Sequence, residues 1–346
     1  MNILWCDSSH PTAYDFNTLK QQAIGGTESS LLRLAGLFAS NNHQVTIYQQ
    51  ARQQSQHQNG VSYIGPQQIH QLENIDAIVV LRKDKQLKIW QQRFPKAHTY
   101  LWLHTYKKWE FVFKRFFRHN HKTTIIGNSK THASHLKQQL HEHKLGRFLS
   151  AIGVPNIHVE YAYNPVPKPE LHVPVTRNPN KLIFISAPNK GLEEVLNHFQ
   201  AIKAAMPDMQ LYIANPGYRD QADIQQAGVQ ILGALPQAEL WQHVAESLCV
   251  FYPQTSFAET FGLIYAEANA LGTPVLAHDI GAAREILHPD NPLIDSHNDK
   301  LVIKTLQQWQ DKLPALQYRD DFADKAIYQQ WSQLLSSKSK DTELIQ

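Results

Sequence analysis

Two glutamates, Glu259 and Glu267, stand eight positions apart in FAETFGLIYAEANALGTPVLA, residues 257–277. On a continuous helix, eight residues at ~100° each bring the second side chain within about a quarter turn of the first, about 12 Å further along the axis. Two carboxylates so placed can accept hydrogen bonds from the hydroxyls of one elongated ligand. Between them lie Thr260, Phe261, Gly262 and Leu263, and a helix that starts there offers the unpaired amides of Phe261, Gly262 and Leu263 to an anion. The helix dipole adds roughly 0.3–2 kcal/mol to such binding, and Gly262 lets the anion come close. A diphosphate at the helix start, with sugar hydroxyls on one carboxylate and ribose hydroxyls on the other, would complete a nucleotide-sugar site. The plainer alternative makes Glu267 a solvent-facing helix former and Glu259 a stabiliser of the dipole. The apolar surroundings of Glu267 argue against leaving a charge there unpaired.

Four further places carry candidate chemistry. Lys190, in ISAPNKGLEEVL, opens a helix directly after an expected strand, where its ammonium would act as a point charge for a diphosphate, with Asn189 beside it; a solvated surface lysine is the alternative. Gly25 and Gly26 precede a helix that begins with Thr27 and Glu28, so their amides can approach a phosphate without steric hindrance, unless they form an ordinary tight turn. His104 closes the apolar run YLWLH, where an imidazole can donate a hydrogen bond or act as a base near neutral pH, or can be a buried structural residue. Ser129, in GNSKTH, is a helix N-cap first and a ligand contact second. The chain contains no Asp-x-Asp triplet, so no metal-clamped diphosphate is expected.

These residues need elements to hold them. Short β-rich apolar runs alternate with helical stretches, the pattern of parallel sheets with crossover helices, and it occurs twice. The first half has strands expected at 2–6, 44–48, 76–81, 99–104 and 123–128, with helices near 27–40, 109–119 and 130–143. In the second half the strands are 181–186, 210–214, 229–232, 249–252 and 274–277, and the helices 191–205, 237–247, 261–270 and 282–287. Two more helical stretches follow residue 305, and the final SSKSKDTELIQ reads as frayed. The proline-crowded stretch NPVPKPELHVPVTRNPN, residues 164–180, marks a linker, and the glutamine-rich 49–59 reads as a solvated loop. The expected organisation is α/β: a Rossmann-like domain over 1–165, a second over 166–318, and a C-terminal helix and tail over 319–346 for which packing back onto the first domain is one option. Two doubly wound sheets joined this way would bring the carboxyl ends of their strands to a shared cleft.

Composition narrows the function classes. A length of 346 residues suits two domains, and 42% hydrophobic with 18% charged residues describes a globular chain. No apolar run approaches the roughly 20 residues of a membrane span, and MNILWCDSSHP reads as a buried first strand, not a signal peptide. Cys6 and Cys249 each lie in an apolar run, which argues against a disulfide framework or a thiolate metal site and fits a cytoplasmic location. A net charge of +3 is too small to argue for nucleic acid.

The Glu-x7-Glu arrangement, followed by ANALGTPVLA and DIGAAREIL, resembles the donor-binding region of the retaining GT-B glycosyltransferases of the family 4 type, which include bacterial lipopolysaccharide and mannosyl transferases. GGTESSLLRLAGLFASNNHQVTIY, residues 25–48, is similar to that family's glycine-rich loop and first helix, and ILGALPQAELWQHVAESLCVFYP to the strand, helix and strand before its donor motif. The resemblance implies a GT-B fold, a nucleotide-diphosphate-sugar donor, a glycan or lipid-linked acceptor, no cofactor, and metal-independent transfer with retention. It implies that the loop of Gly25, Gly26 and Thr27 faces the diphosphate and the acceptor, that Lys190 holds the diphosphate, and that His104 touches the transferred sugar or the acceptor. Glu285 matches a family glutamate. The family's arginine shortly before the Lys-Gly step is missing, with Ser186, Ala187, Pro188 and Asn189 in its place. A retaining glycosidase is disfavoured because Glu259 and Glu267 are too far apart on a helix for carboxylates needing a separation of about 5–5.5 Å. A nicotinamide dehydrogenase would need a Gly-x-Gly-x-x-Gly after a strand, which is absent. A nucleotide-sugar epimerase or phosphorylase of the same fold, and a non-catalytic subunit that binds nucleotide-sugar or membrane, stay open.

One basic aromatic segment, YKKWEFVFKRFFRHNHK, residues 106–122, follows His104. An interfacial helix that meets an anionic membrane, at ~1 kcal/mol for each basic residue, is one reading. The other is a half-buried helix with its phenylalanines on the sheet and its basic face in water.

Overall fold

Apolar runs such as ILWC, AIVVL and LIF can be buried on both faces only in parallel sheets covered by helices, and the computed structural model of the chain has two such sheets. It describes residues 1–115, 123–171, 173–215 and 224–337. The chain divides into two compact units, one made of Met1–Phe16, Ser30–Pro165 and the described residues from Asp324 on, the other of Asn17–Ser29 and Val166–Ala323.

The first unit holds β1 (Asn2–Asp7), β2 (Gln44–Gln49), β3 (Gln56–Gln58), β4 (Val61–Ile64), β5 (Ala77–Leu81), β6 (His98–Trp102), β7 (Thr123–Gly127) and β8 (His158–Tyr161). Their order is β3-β4-β2-β1-β5-β6-β7-β8, parallel except for the β3–β4 pair. In sequence the chain steps from β1 to β2 on one side and later returns to β5 on the other, so the strand order reverses between β1 and β5. Asp7 ends β1 and Arg82 follows β5 at this switch point, where open α/β sheets bind ligands beyond the carboxyl ends of their strands. At the opposite, amino end of the sheet the buried polar groups are paired: Thr99 and Thr123 hydroxyls lie 3.1 Å apart and Gln91 donates to both.

The second unit holds β9 (Asn178–Phe184), β10 (Gln210–Asn215), β11 (Val229–Ala234), β12 (Ser247–Tyr252) and β13 (Val275–Ala277). All five are parallel, in the order β11-β10-β9-β12-β13, which puts the reversal between β9 and β12. Lys190 follows β9 and Glu259 follows β12, so the two candidates from distant segments belong to one switch point.

All five strands expected in the second half are present, as are all five expected in the first. The first half has more than was expected: β3, β4 and β8, and the helices Phe16–Gln21, Gln86–Arg93 and Lys144–Ala151. Residues 49–59 are largely exposed, as expected, but are not all loop, since β3 runs through Gln56–Gln58. Gln49 and Arg52 are buried, both donate to the Tyr14 carbonyl, at 2.8 and 3.0 Å, and the guanidinium covers the Tyr63 ring at 4.9 Å. The helix expected over 130–143 is α-helical only over Lys130–Lys137 and widens to a π-turn at Gln138–Glu142. A 3-10 segment, Trp109–Arg115, begins where the basic aromatic helix was expected; that expectation's remainder, 116–122, lies outside the described residues, as does the tail from 338. The proline-rich stretch ends earlier than expected, because β9 already starts at Asn178. Within the described residues no helix is long and apolar enough to cross a membrane.

The helix Asp324–Ser337 completes the core of the first unit. Trp331 is 0% exposed, sits against the rings of Trp5 and Trp102 at 5.5 and 4.9 Å, and donates from Nε1 to the Tyr163 carbonyl at 3.0 Å. Trp331→Ala should destabilise this unit by about 3–5 kcal/mol through the cavity and the orphaned carbonyl. Urea unfolding monitored by tryptophan fluorescence reads the effect, and a midpoint equal to that of the unmodified chain would contradict this packing.

Candidate functional site

The second unit's switch point is built around a buried carboxylate. Glu259, 6% exposed, accepts from Lys190 Nζ on both oxygens, at 2.8 and 3.1 Å, and from the Tyr252 hydroxyl at 3.1 Å. Burial and the Glu259 charge push the Tyr252 hydroxyl well above its ordinary value, so it remains a donor. Ser186, in the stretch that lacks the arginine, is buried and hydrogen-bonds to Tyr252, so the carboxylate is supported through a chain of hydroxyls.

Local chemistry explains why the loops close here. Gly191 caps the helix Leu192–Ala205 at φ +85°, and a Cβ there would stand 2.3 Å from that of Gln254. Gln254, buried directly after β12, folds its own loop by donating to the Phe257 carbonyl at 2.8 Å and accepting the Phe257 amide at 2.7 Å. Glu194 fastens the same loop to the helix, accepting from the Thr255 amide and hydroxyl at 2.6 and 2.9 Å. The Phe257 ring then lies 4.6 Å from Lys190 Nζ, a cation–π contact that leaves the ammonium directed at Glu259. Gly281, at φ +61°, allows the next loop to approach, since a Cβ there would meet the Glu259 carbonyl at 2.6 Å; the Ala282 amide donates to that carbonyl at 2.9 Å.

The helix after Glu259 begins at Leu263, two residues later than expected, because Gly262 takes a left-handed conformation at φ +82°. Glu259 therefore lies in the preceding loop, and the helical-spacing argument for the two glutamates does not apply. Phe261 is buried against the Phe322 ring at 5.2 Å and is not in the helix, and Thr260 is buried beside it. Glu267, 9% exposed, is on the helix and accepts from Gln237 Nε2 at 2.7 Å, so it is a buried polar residue and not a solvent-facing one. Gly26 starts the helix Gly26–Ser40, and a Cβ on it would stand 2.9 Å from Leu263 Cδ1, which puts the glycine pair at the start of the Leu263–Ala270 helix. Gly25 is buried, its carbonyl accepting the Ser29 amide at 2.9 Å, and Thr27 is half-buried. Asn189 is exposed. Lys190 and Glu259 thus meet directly, and so do the glycine pair and Leu263.

His104 belongs to the first unit. Its Nδ1 is 3.1 Å from the Asn128 amide nitrogen, which can only donate, so Nδ1 accepts and the ring proton resides on Nε2. Burial, assisted by the charge of Arg82 and by His132, holds the imidazole well below its ordinary value. A neutral His104 with its proton on Nε2 is a hydrogen-bond donor more than a base. Ser129 is an N-cap, accepting the His132 amide at 3.0 Å. His132 in turn accepts the Asn128 amide on Nδ1 at 3.2 Å and meets the Thr105 carbonyl through Nε2 at 3.2 Å.

Tyr252, Gln254, Asp7, Arg82 and Asn128 were not picked out from the sequence. One signal was available for all five: each is a polar group at or just after the carboxyl end of an apolar strand. Metal-ligand proximity occurs among the described residues at His278, Asp295 and His297, whose ligand atoms lie within 4.8 Å of one another in loops after β13.

Residues 172–327 match the family described as Glycosyl transferases group 1. The chain is similar to the phosphatidyl-myo-inositol mannosyltransferase of Propionibacterium freudenreichii subsp. shermanii, 30% identical over 107 residues, which is 31% of this chain and 27% of that protein. It is also similar to the GDP-mannose-dependent monoacylated alpha-(1-6)-phosphatidylinositol monomannoside mannosyltransferase of Corynebacterium glutamicum, 28% identical over 123 residues, 32% of each chain. The matched stretch thus spans about a third or less of these relatives' own length. Among solved structures, sucrose-phosphate synthase from Thermosynechococcus elongatus superposes with a TM-score of 0.64 at 12% identity, over 99% of this chain and 98% of that one. The fold is the GT-B fold of two Rossmann-like domains.

Burial pulls His132 down to about 4. Between its ordinary value of about 6.5 and that value the unfolded chain binds a proton that the folded chain does not, so stability is full above this window and lost as the pH falls through it. Urea midpoints taken above and below the window should show the loss, and His132→Gln should flatten it; an unchanged slope in the variant would remove His132 as the source.

Proposed function

We propose that this protein is a retaining glycosyltransferase that moves a sugar from a nucleotide-diphosphate donor to a glycan or lipid-linked acceptor. The observation that carries the reading is the Lys190–Glu259 pair, a buried carboxylate and a partly exposed ammonium at the β9–β12 switch point, set beside a glycine-started helix. Donor recognition is assigned to the second unit. Lys190 and the amides at the start of the Leu263–Ala270 helix would take the diphosphate, with Gly25, Gly26, Thr27 and Asn189 as neighbouring contacts. Glu259 would accept hydrogen bonds from the sugar and Glu267 from the ribose. His104, on the first unit, would donate to the acceptor or the transferred sugar.

In the reaction the bond from the anomeric carbon to the phosphate oxygen breaks, a bond to the acceptor oxygen forms on the same face, and the acceptor's proton passes to the departing phosphate. Lys190 stabilises the charge that grows on that phosphate. The chemistry needs no metal in this reading; loss of activity in chelator that a divalent cation restores would overturn that part. The Corynebacterium glutamicum relative is named as GDP-mannose-dependent, which makes GDP-mannose the first donor to try. The reading extends to a cytoplasmic enzyme of cell-envelope polysaccharide synthesis, with peripheral membrane contact through residues 106–122. In the described part of that segment Phe111 and Val112 are buried while Trp109 and Phe113 are 46% and 41% exposed. Co-sedimentation with anionic vesicles at low salt tests that contact.

A thermal-shift screen against nucleoside diphosphates and nucleotide-sugars should give a selective rise in melting temperature with one base. Glu259→Ala and Lys190→Ala should each lower turnover about a hundredfold or more, roughly 2–4 kcal/mol of transition-state stabilisation, while the chain stays folded by circular dichroism. No shift with any nucleotide would favour the non-catalytic subunit, for which the missing arginine before Lys190 is the specific support. Near-normal turnover in both variants would overturn the site assignment.

A further inference from the structure

The first unit has a charged edge that the donor site does not account for. At the β1–β5 switch point Arg82, a non-glycine residue at φ +58°, follows β5, with its amide donating to the Trp102 carbonyl at 3.0 Å. A left-handed arginine costs on the order of 1 kcal/mol or more, and such strain persists where the surroundings fix it for a purpose. Its guanidinium, 28% exposed, reaches Asp7 at 3.1 Å. Asp7 is already held by the Ser9 amide and hydroxyl at 2.9 and 2.7 Å and by the Tyr14 hydroxyl at 2.8 Å. The carboxylate therefore anchors Arg82 while part of the guanidinium stays at the surface.

Lys107 is brought to the same edge by a clamped loop. The Thr105 and Lys107 carbonyls accept from His132 at 3.2 Å and from His135 at 2.7 Å, and the Tyr106 ring lies between those two imidazoles at 5.1 and 4.8 Å. Burial, helped by the charges of Lys83 and Lys114 and opposed by that of Asp84, holds the Lys107 ammonium below the usual lysine value. Asp84 is paired with Lys114 at 3.2 Å. Among the described residues, Arg82 acts on His104 and pairs with Asp7, while Lys83, Lys107 and Lys114 share Asp84. A half-buried lysine among like charges is stabilised by an incoming anion, and a planar guanidinium beside it suits a phosphate oxygen pair.

We infer that this edge of the first unit binds a phosphate group carried by the acceptor, through Arg82, Lys83 and Lys107. The word acceptor rests on the transferase reading; the phosphate site itself does not. The phosphate can belong to a soluble phosphosugar or to a lipid headgroup, and the two share the chemistry that Arg82 and Lys107 recognise.

The test titrates inorganic phosphate and glucose 6-phosphate into full-length protein carrying Lys190→Gln, which weakens the donor site and is the common background for every variant, with phosphorus NMR line broadening as the readout. A parallel arm uses vesicles of phosphatidylglycerol in phosphatidylcholine against phosphatidylcholine alone. Arg82→Gln and Lys107→Gln should each weaken phosphate binding about tenfold, one charge-assisted hydrogen bond, whereas Lys304→Gln on the second unit should not. Lys107→Gln leaves the Arg82–Asp7 pair intact and so guards against a folding artefact. Binding of glucose 6-phosphate identifies a soluble source, and binding to the anionic vesicles alone a lipid one; either supports the site when both variants reduce it. Equal binding in both variants and the parent, or none in any arm, overturns it. The nucleotide screen on the unmodified chain is read separately, so failure of the transferase reading and failure of this site are told apart.

Discussion

Taking an ammonium and a carboxylate out of water costs several kcal/mol for each ion, and their attraction offsets this only when the geometry is tight and the remaining lone pairs are used. The second unit meets that condition for Lys190 and Glu259 with bidentate contact, a tyrosine hydroxyl on the same carboxylate and an aromatic ring by the ammonium. Much of the surrounding construction follows from it. Gly191 and Gly281 occupy left-handed conformations because Gln254 and the Glu259 backbone come too close for a Cβ, and both approaches serve to seat the pair. A pair of well-packed apolar residues would stabilise the fold as well or better. The reason for a charged pair therefore lies in what it can bind.

The two units use the same design with different chemistry. Each places a carboxylate and a cation across the reversal of its strand order, Asp7 with Arg82 in one and Glu259 with Lys190 in the other. In the first the carboxylate is saturated by local donors and serves to position the arginine. In the second the carboxylate and the lysine hold each other, and both are candidates for ligand contact.

Much of this was legible in the sequence, for reasons particular to each element. The five strands of the second unit are short apolar runs bounded by turn residues, and parallel burial leaves such runs their plainest mark. β3 and β8 are edge strands of three and four residues, QHQ and HVEY, too short and too polar for periodicity to register. Arg52 was read as solvated because composition does not reveal that its guanidinium is covered by Tyr63 and the Tyr14 carbonyl. The candidate residues Lys190, Glu259 and Glu267 could be picked out by type and spacing. Their arrangement could not, since the left-handed turn at Gly262 takes Glu259 out of the helix and the pairing of residues 69 positions apart is set by strand order.

The first unit is discontinuous in sequence, and its indole cluster of Trp5, Trp102 and Trp331 draws on segments more than 300 residues apart. During synthesis, strands β1 to β8 emerge long before Trp331, so they must wait with part of their core uncovered. The second unit has all its strands between residues 178 and 277 and needs nothing beyond Ala323. Contacts of such long separation slow folding and prolong the exposure of apolar surface. In this chain, therefore, the half whose synthesis begins first is the half whose core is completed last.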